Sequence, residues 1–262
     1  MRQKLTTLPT LFLVAVWPAT LAAQDNVLLD EGFWKTATVA DVGAALEGGA
    51  DIEARTKNGW TPLHLAAGNS QSVAAVEVLL DHGVNMEARG LGGGTPLHWA
   101  AYQGTAPVVE LLLVHGADIE ALDESGETPL HSASGSGWND RLSVVKLLLD
   151  RGADIMADSK ADLTPLHVVN TPEVVKLFVR RGADINVSNW LRITPLHWAA
   201  ITARPKVIEA LLNHGANGAA RDKKGKTPFD YAQGKSIINS GQINEALKDT
   251  PVYWRLNEAQ YR

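Results

Sequence analysis

Apolar residues in this chain come in paired short bursts that return at a near-constant interval. One pair begins with Leu97, Ala100 and Ala101 and continues with Val108, Val109, Leu111, Leu112 and Leu113. The first burst predicts a short helix whose small face lets a neighbouring helix approach to about 8–10 Å. The second is too wide for a surface stripe and predicts a helix buried between neighbours. Gly104 ends the first helix, and Gly116 follows the second where a left-handed residue is wanted. Ala117-Asp118-Ile119-Glu120 then turns outward into a finger-like loop.

Each pair is introduced by the same four residues. Thr-Pro-Leu-His occurs five times, starting at Thr61, Thr95, Thr128, Thr164 and Thr194, with a degenerate copy at Thr227 to Asp230. Successive starts are 34, 33, 36, 30 and 33 residues apart, a period at which each unit buries its apolar face only against its neighbours. The motif is a helix start: Thr95 suits the N-cap, and Pro96 sits at the first helical position, where its missing N–H costs nothing.

Gly94-Thr95-Pro96-Leu97-His98-Trp99-Ala100-Ala101, Val108 to Leu113 and Gly116-Ala117-Asp118-Ile119 resemble the ankyrin repeat family, and the resemblance runs from about Val27 to Thr250. It implies an all-α solenoid of helix-turn-helix units with finger loops: five full repeats at 61–94, 95–127, 128–163, 164–193 and 194–226. Capping units are expected at 24–60 and 227–250, with a tail at 251–262 that folds back over the last repeat. Aligning Gly49 with Gly116 puts Phe33 and Trp34 where Ala100 and Ala101 sit, and such bulk fits only where no earlier repeat packs. The terminal cap keeps Thr227-Pro228-Phe229 and a second helix around Ile243 to Leu247.

Two units break the period. The 36-residue one inserts Ser136-Gly137-Trp138-Asn139-Asp140 between its helices. The 30-residue one passes from His167-Val168-Val169-Asn170 straight to Thr171-Pro172-Glu173, which can cap its second helix at once. A kinked or weak interface, opening early in hydrogen exchange, is expected there.

Composition adds a compartment. Met1 to Ala23 has Arg2 and Lys4, an apolar run from Leu11 to Trp17, a break at Pro18, and Ala22-Ala23 at its end, the pattern of a cleaved export signal. The run is too short for a membrane span of about 20 residues. The mature chain is therefore expected in the periplasm or released, without membrane insertion and as a monomer. The full chain contains 24 Lys and Arg against 29 Asp and Glu, a net charge of −5, which argues against nucleic acid as partner. With no cysteine, disulfides, thiol catalysis and a lipidated N-terminal cysteine are excluded.

Catalytic and cofactor chemistry finds no foothold. All eight histidines belong to the repeat: His64, His98, His131, His167 and His197 to the motif, and His82, His115 and His214 to the glycine stops. Stacked at about 8–10 Å, they cannot share a zinc ion that holds each nitrogen at about 2.0–2.1 Å. Gly225-Lys226-Thr227 lacks the first glycine of a phosphate loop, Gly90 to Gly94 has no preceding strand, and Ser134 and Ser136 lack a nucleophile elbow. No enzyme, metal or cofactor is expected.

In the ankyrin family, finger tips and the exposed side of the first helices line a concave groove that holds a protein. Carried onto this chain, those positions are Lys57, Asn58 and Trp60; Leu91, Tyr102 and Gln103; Glu124, Ser125 and Glu127; Lys160 and Leu163; Trp190, Leu191, Ile193, Ile201 and Thr202; and Lys223, Lys224 and Lys226. Trp190 replaces what is Lys57, Glu124, Lys160 or Lys223 in other fingers, so it either binds or covers the irregular junction beside it. Trp99 and Trp198 follow the motif histidine and read as framework. A protein-binding module of the cell envelope is the expectation, with an effector acting on host or competitor proteins and a structural envelope component as rivals.

Overall fold

The computed structural model describes residues 26–68, 73–103, 105–137, 141–234, 247 and 250–261. The expected export signal, Gly104, most of the 136–140 insertion with Trp138, and most of the helix expected around Ile243 to Leu247 lie outside the described residues. Every regular element among the described residues is helical.

The helices come in pairs: α1 (Glu31–Trp34) and α2 (Val39–Glu47), α3 (Pro62–Ala67) and α4 (Val73–Asp81), α5 (Pro96–Gln103) and α6 (Ala106–Val114), α7 (Pro129–Gly135) and α8 (Arg141–Asp150). They continue with α9 (Pro165–Val168) and α10 (Pro172–Arg180), α11 (Pro195–Ile201) and α12 (Pro205–Asn213), and α13 (Pro228–Ala232) and α14 (Pro251–Ala259). First helices pack in one layer, α3 through α13 in order, and second helices in another, α2 through α14. Leu63, Leu97, Leu130, Leu166 and Leu196 of the motif are buried in the first layer; Val108, Val109, Leu112, Val144, Val145, Leu148 and Phe178 are buried in the second. Gly116, at φ 93°, ends α6 in the left-handed region that a Cβ resists.

The motif histidine closes each helix start. The backbone N–H of Thr95 donates to His98 Nδ1 at 3.1 Å, so Nδ1 carries no proton and Nε2 does. Nε2 then donates to the carbonyl of Glu127 at 3.0 Å, in the base of the next finger. The same double bond recurs from His64 to Gly94, His131 to Leu163, His167 to Ile193 and His197 to Lys226, at 2.8–3.1 Å. The last copy has Asp230 instead, which accepts from Thr227 N–H at 2.8 Å and so closes the helix start with a carboxylate in place of an imidazole. His82, His115 and His214 bond their own helices through Nδ1 to the carbonyls of Val78, Leu111 and Ala210.

Large side chains are buried at both ends of the described stack. Trp34 is buried, its indole N–H donating to the Leu28 carbonyl at 2.8 Å, and Phe33 packs edge-on against it. At the other end the tail is itself a helix: α14 packs on α13 and α12, burying Val252 and Leu256. These are the neighbours a second helix has elsewhere in the stack, so the tail fills that position as well as covering the last repeat. Gly218 makes the docking possible, since a Cβ there would lie 2.3 Å from that of Ala259. Arg255 secures it against Glu209 and Asn213.

The short unit is braced. Helix α9 spans only Pro165–Val168, and Thr171, though at the N-cap of α10, forms no capping bond; its hydroxyl is buried without a partner. Arg204 of the following unit compensates by donating to the carbonyls of Val168 and Val169, both at 2.6 Å. Asn170 ties the same turn backward to the carbonyls of Ser134 and Ser136. The irregular junction thus exchanges a helical turn for side-chain bonds. Arg204→Ala removes a charged donor worth about 1.5–3 kcal/mol, and hydrogen exchange should then open first between Thr164 and Asn186.

Candidate functional site

The face formed by fingers and first helices is laid out by two rows of residues. One row stands just before each motif threonine, at the base of a finger: Trp60, Gly94, Glu127, Leu163, Ile193 and Lys226. The other follows the motif histidine or its replacement: Leu65, Trp99, Ser132, Val168, Trp198 and Tyr231. Fingers are linked tip to tip, Glu124 N–H to Gly92 O at 2.9 Å, Lys160 N–H to Ser125 O at 2.9 Å and Lys223 N–H to Leu191 O at 3.0 Å.

Several expected positions fall together. Trp60 meets Trp99 edge-on at 4.3 Å between ring centroids, and Trp99 stacks on Tyr102 at 5.5 Å and 16°. Trp99 and Tyr102 are three apart on one helix and so share a face. With Leu91, Gly94, Asp123 and Ser132 these rings line an open hollow of about 210 Å³. Its origin is local: the base row offers only Gly94 and the floor row only Ser132, so space is left beside three large rings. Trp99 is held in place by α3, for a Cβ on Gly68 would lie 2.3 Å from its Nε1.

A second group lies farther along. Trp190 is 57% exposed at its finger tip, beside exposed Leu191, and the Lys223 ammonium sits 5.3 Å above its ring. Arg192, next in the finger, holds a left-handed φ of 61°. Asp162 holds the same left-handed turn one unit earlier, at φ 51°, and Gly59, Gly93, Gly126 and Gly225 hold it in the other fingers, so the conformation belongs to the finger framework.

Other expected positions are placed differently. Ile193 is only 6% exposed and belongs to the core, as Leu163 is buried one unit earlier; the finger base tucks these side chains between consecutive first helices. Ile201 is half-buried against the core. Trp198 packs on the core, as framework should, whereas Trp99, expected there too, stands half-buried in the groove between Trp60 and Tyr102. Leu91 is 68% exposed and Tyr102 39%. Lys57, Asn58, Glu124, Ser125, Lys160, Thr202, Lys223 and Lys224 are exposed, Gln103 and Glu127 half-buried, and Lys226 lies 5.3 Å above the Tyr231 ring.

Electrostatics divides the face. Burial raises the Glu127 carboxyl above the ordinary range, and the charge of Asp123 adds to it. Burial lowers all five motif histidines, partly offset by their bonds to finger carbonyls, and His167 falls to about 4. Because Nδ1 and Nε2 of these rings are both engaged, the motif imidazoles are framework.

A helical-repeat solenoid with finger loops is thus defined by its own packing. A family profile described as "Ankyrin repeats (3 copies)" matches residues 40–123, 90–159 and 166–242, and the chain belongs to the ankyrin repeat family. Among solved structures, the human ASB11 ankyrin repeat domain is similar at 28% identity and a TM-score of 0.66, covering 83% of this chain and 95% of that one. No curated protein matches.

Proposed function

We propose that this chain is a non-catalytic recognition module that holds a protein partner against the concave face of its fingers and first helices, after export to the periplasm or beyond. The observation carrying this reading is the set of large apolar groups on one face: exposed Leu91 and Tyr102 beside half-buried Trp60 and Trp99 at one end, exposed Trp190 and Leu191 at the other. Ankyrin repeats are in general protein-interaction modules, and exposed aromatic side chains are enriched at binding hot spots. The basic start, apolar run and Ala22-Ala23 support export.

Trp190 separates binding from packing. Standing at a tip, Trp190→Ala should leave the melting midpoint nearly unchanged while weakening a captured partner by about 2 kcal/mol or more. A lowered midpoint with intact affinity would return Trp190 to the framework. N-terminal sequencing of the protein from envelope fractions should begin near Gln24; an intact Met1 in the cytoplasm would remove the export half of the reading.

A further inference from the structure

The hollow beside Trp99 differs chemically from the rest of the face. Three of its walls are the rings of Trp60, Trp99 and Tyr102, and Asp123 stands at the fourth. Asp123 Oδ1 already accepts from the N–H groups of Ser125 and Glu127, both at 2.8 Å, which fixes the carboxylate at the mouth. Glu124 leans across Gly93 of the neighbouring finger, and Glu127 follows in the base row. The Arg89 guanidinium donates to the carbonyls of Gly93 and Leu122 and not to these carboxylates. Among the described residues no salt bridge joins Asp123, Glu124 or Glu127 to a Lys or Arg.

Resting on the reading of this face as a protein-binding surface, we propose that the hollow receives a cationic side chain, arginine or lysine, projecting from the partner. Aromatic rings attract a cation through their quadrupoles, and the Asp123 carboxylate at the same hollow adds a Coulombic attraction. An acidic side chain would be repelled by the Asp123 carboxylate, and an apolar one would cover Asp123 without supplying a countercharge. The rings are already positioned by Gly68 and by their mutual stacking, so little ordering accompanies binding.

The test uses defined tripeptides. Acetyl-Ala-Arg-Ala-amide and its lysine, citrulline and glutamate counterparts are titrated into the ¹⁵N-labelled chain, following the indole N–H signals of Trp60 and Trp99. The arginine and lysine peptides should shift these signals saturably, and citrulline, an uncharged near-isostere of arginine, should bind at least about fivefold more weakly. Asp123→Asn should weaken the cationic peptides by about the same factor while keeping the finger, since Asn189 accepts the equivalent bonds from Leu191 and Ile193 in its own finger. Tyr102→Ala should weaken them as well. Equal shifts from citrulline and arginine, unchanged binding to Asp123→Asn, or no saturable shift from either cation would overturn the proposal. Capture of a protein partner through Trp190 would survive those outcomes, so failure of the cation site and failure of the binding surface are read separately.

Discussion

Acidification from pH 6.5 toward pH 4 should cost this protein several kcal/mol of stability. The five motif histidines are buried with both nitrogens bonded, and burial lowers the pKa of each below the ordinary imidazole value of about 6.5. Protonating Nδ1 would set its new hydrogen against the threonine N–H that now donates to it. As pH drops below 6.5 the unfolded chain therefore takes up protons that the folded chain refuses. Stability is full above that pH and declines until the folded pKa is reached. For His167, whose folded value is about 4, the difference amounts to about 3 kcal/mol at ~1.4 kcal/mol per pH unit. The other four add in the same direction. Urea midpoints measured from pH 7.5 down to 4.5 should fall steadily below about 6.5, and His167→Gln should flatten part of the slope. A midpoint constant across that range would show that the double hydrogen bonds do not hold the imidazoles neutral.

Leu97→Ala is expected to cost about 2–5 kcal/mol, since it deletes most of a fully buried side chain and leaves a cavity in a layer with little room to collapse. Leu97 lies on α5, which packs between α3 and α7 and is 1% exposed. In a solenoid each unit is stabilised by its neighbours alone, so the loss is felt at two interfaces at once. Leu91→Ala offers the contrast, because the same residue type at a finger tip, 68% exposed, should change stability by no more than about 0.5 kcal/mol. Thermal melts of both variants decide it. Equal midpoints would mean that the motif leucines do not carry the stack.

The framework was legible because its signals are short in range. A threonine, a proline and a histidine within four residues specify the helix start, and the histidine's second bond falls one repeat away, where the next copy must be. What escaped depends on contacts between repeats. Trp99 was read as framework from its place after His98, yet it faces the groove, and its spacing from Tyr102 on one helix face carried the hint. Ile193 was read as surface from its place before Thr194, but the finger base draws it inward. Nothing in the Thr164 unit itself announced that Arg204, more than thirty residues on, would satisfy its carbonyls. The hollow arises from Gly94 and Ser132, two absences of bulk in different repeats, and only the stacked structure brings them side by side.

The recognition surface itself can be tested without knowing the partner. A photo-crosslinking amino acid placed at Tyr102, at Trp190 and at Val114, an exposed position on α6 away from the fingers, reports directly which face meets another protein in cells. The account predicts a discrete adduct of the same partner from Tyr102 and Trp190 and none from Val114. Adducts from Val114 alone, or none from either groove position while the protein is folded and correctly located, would contradict it.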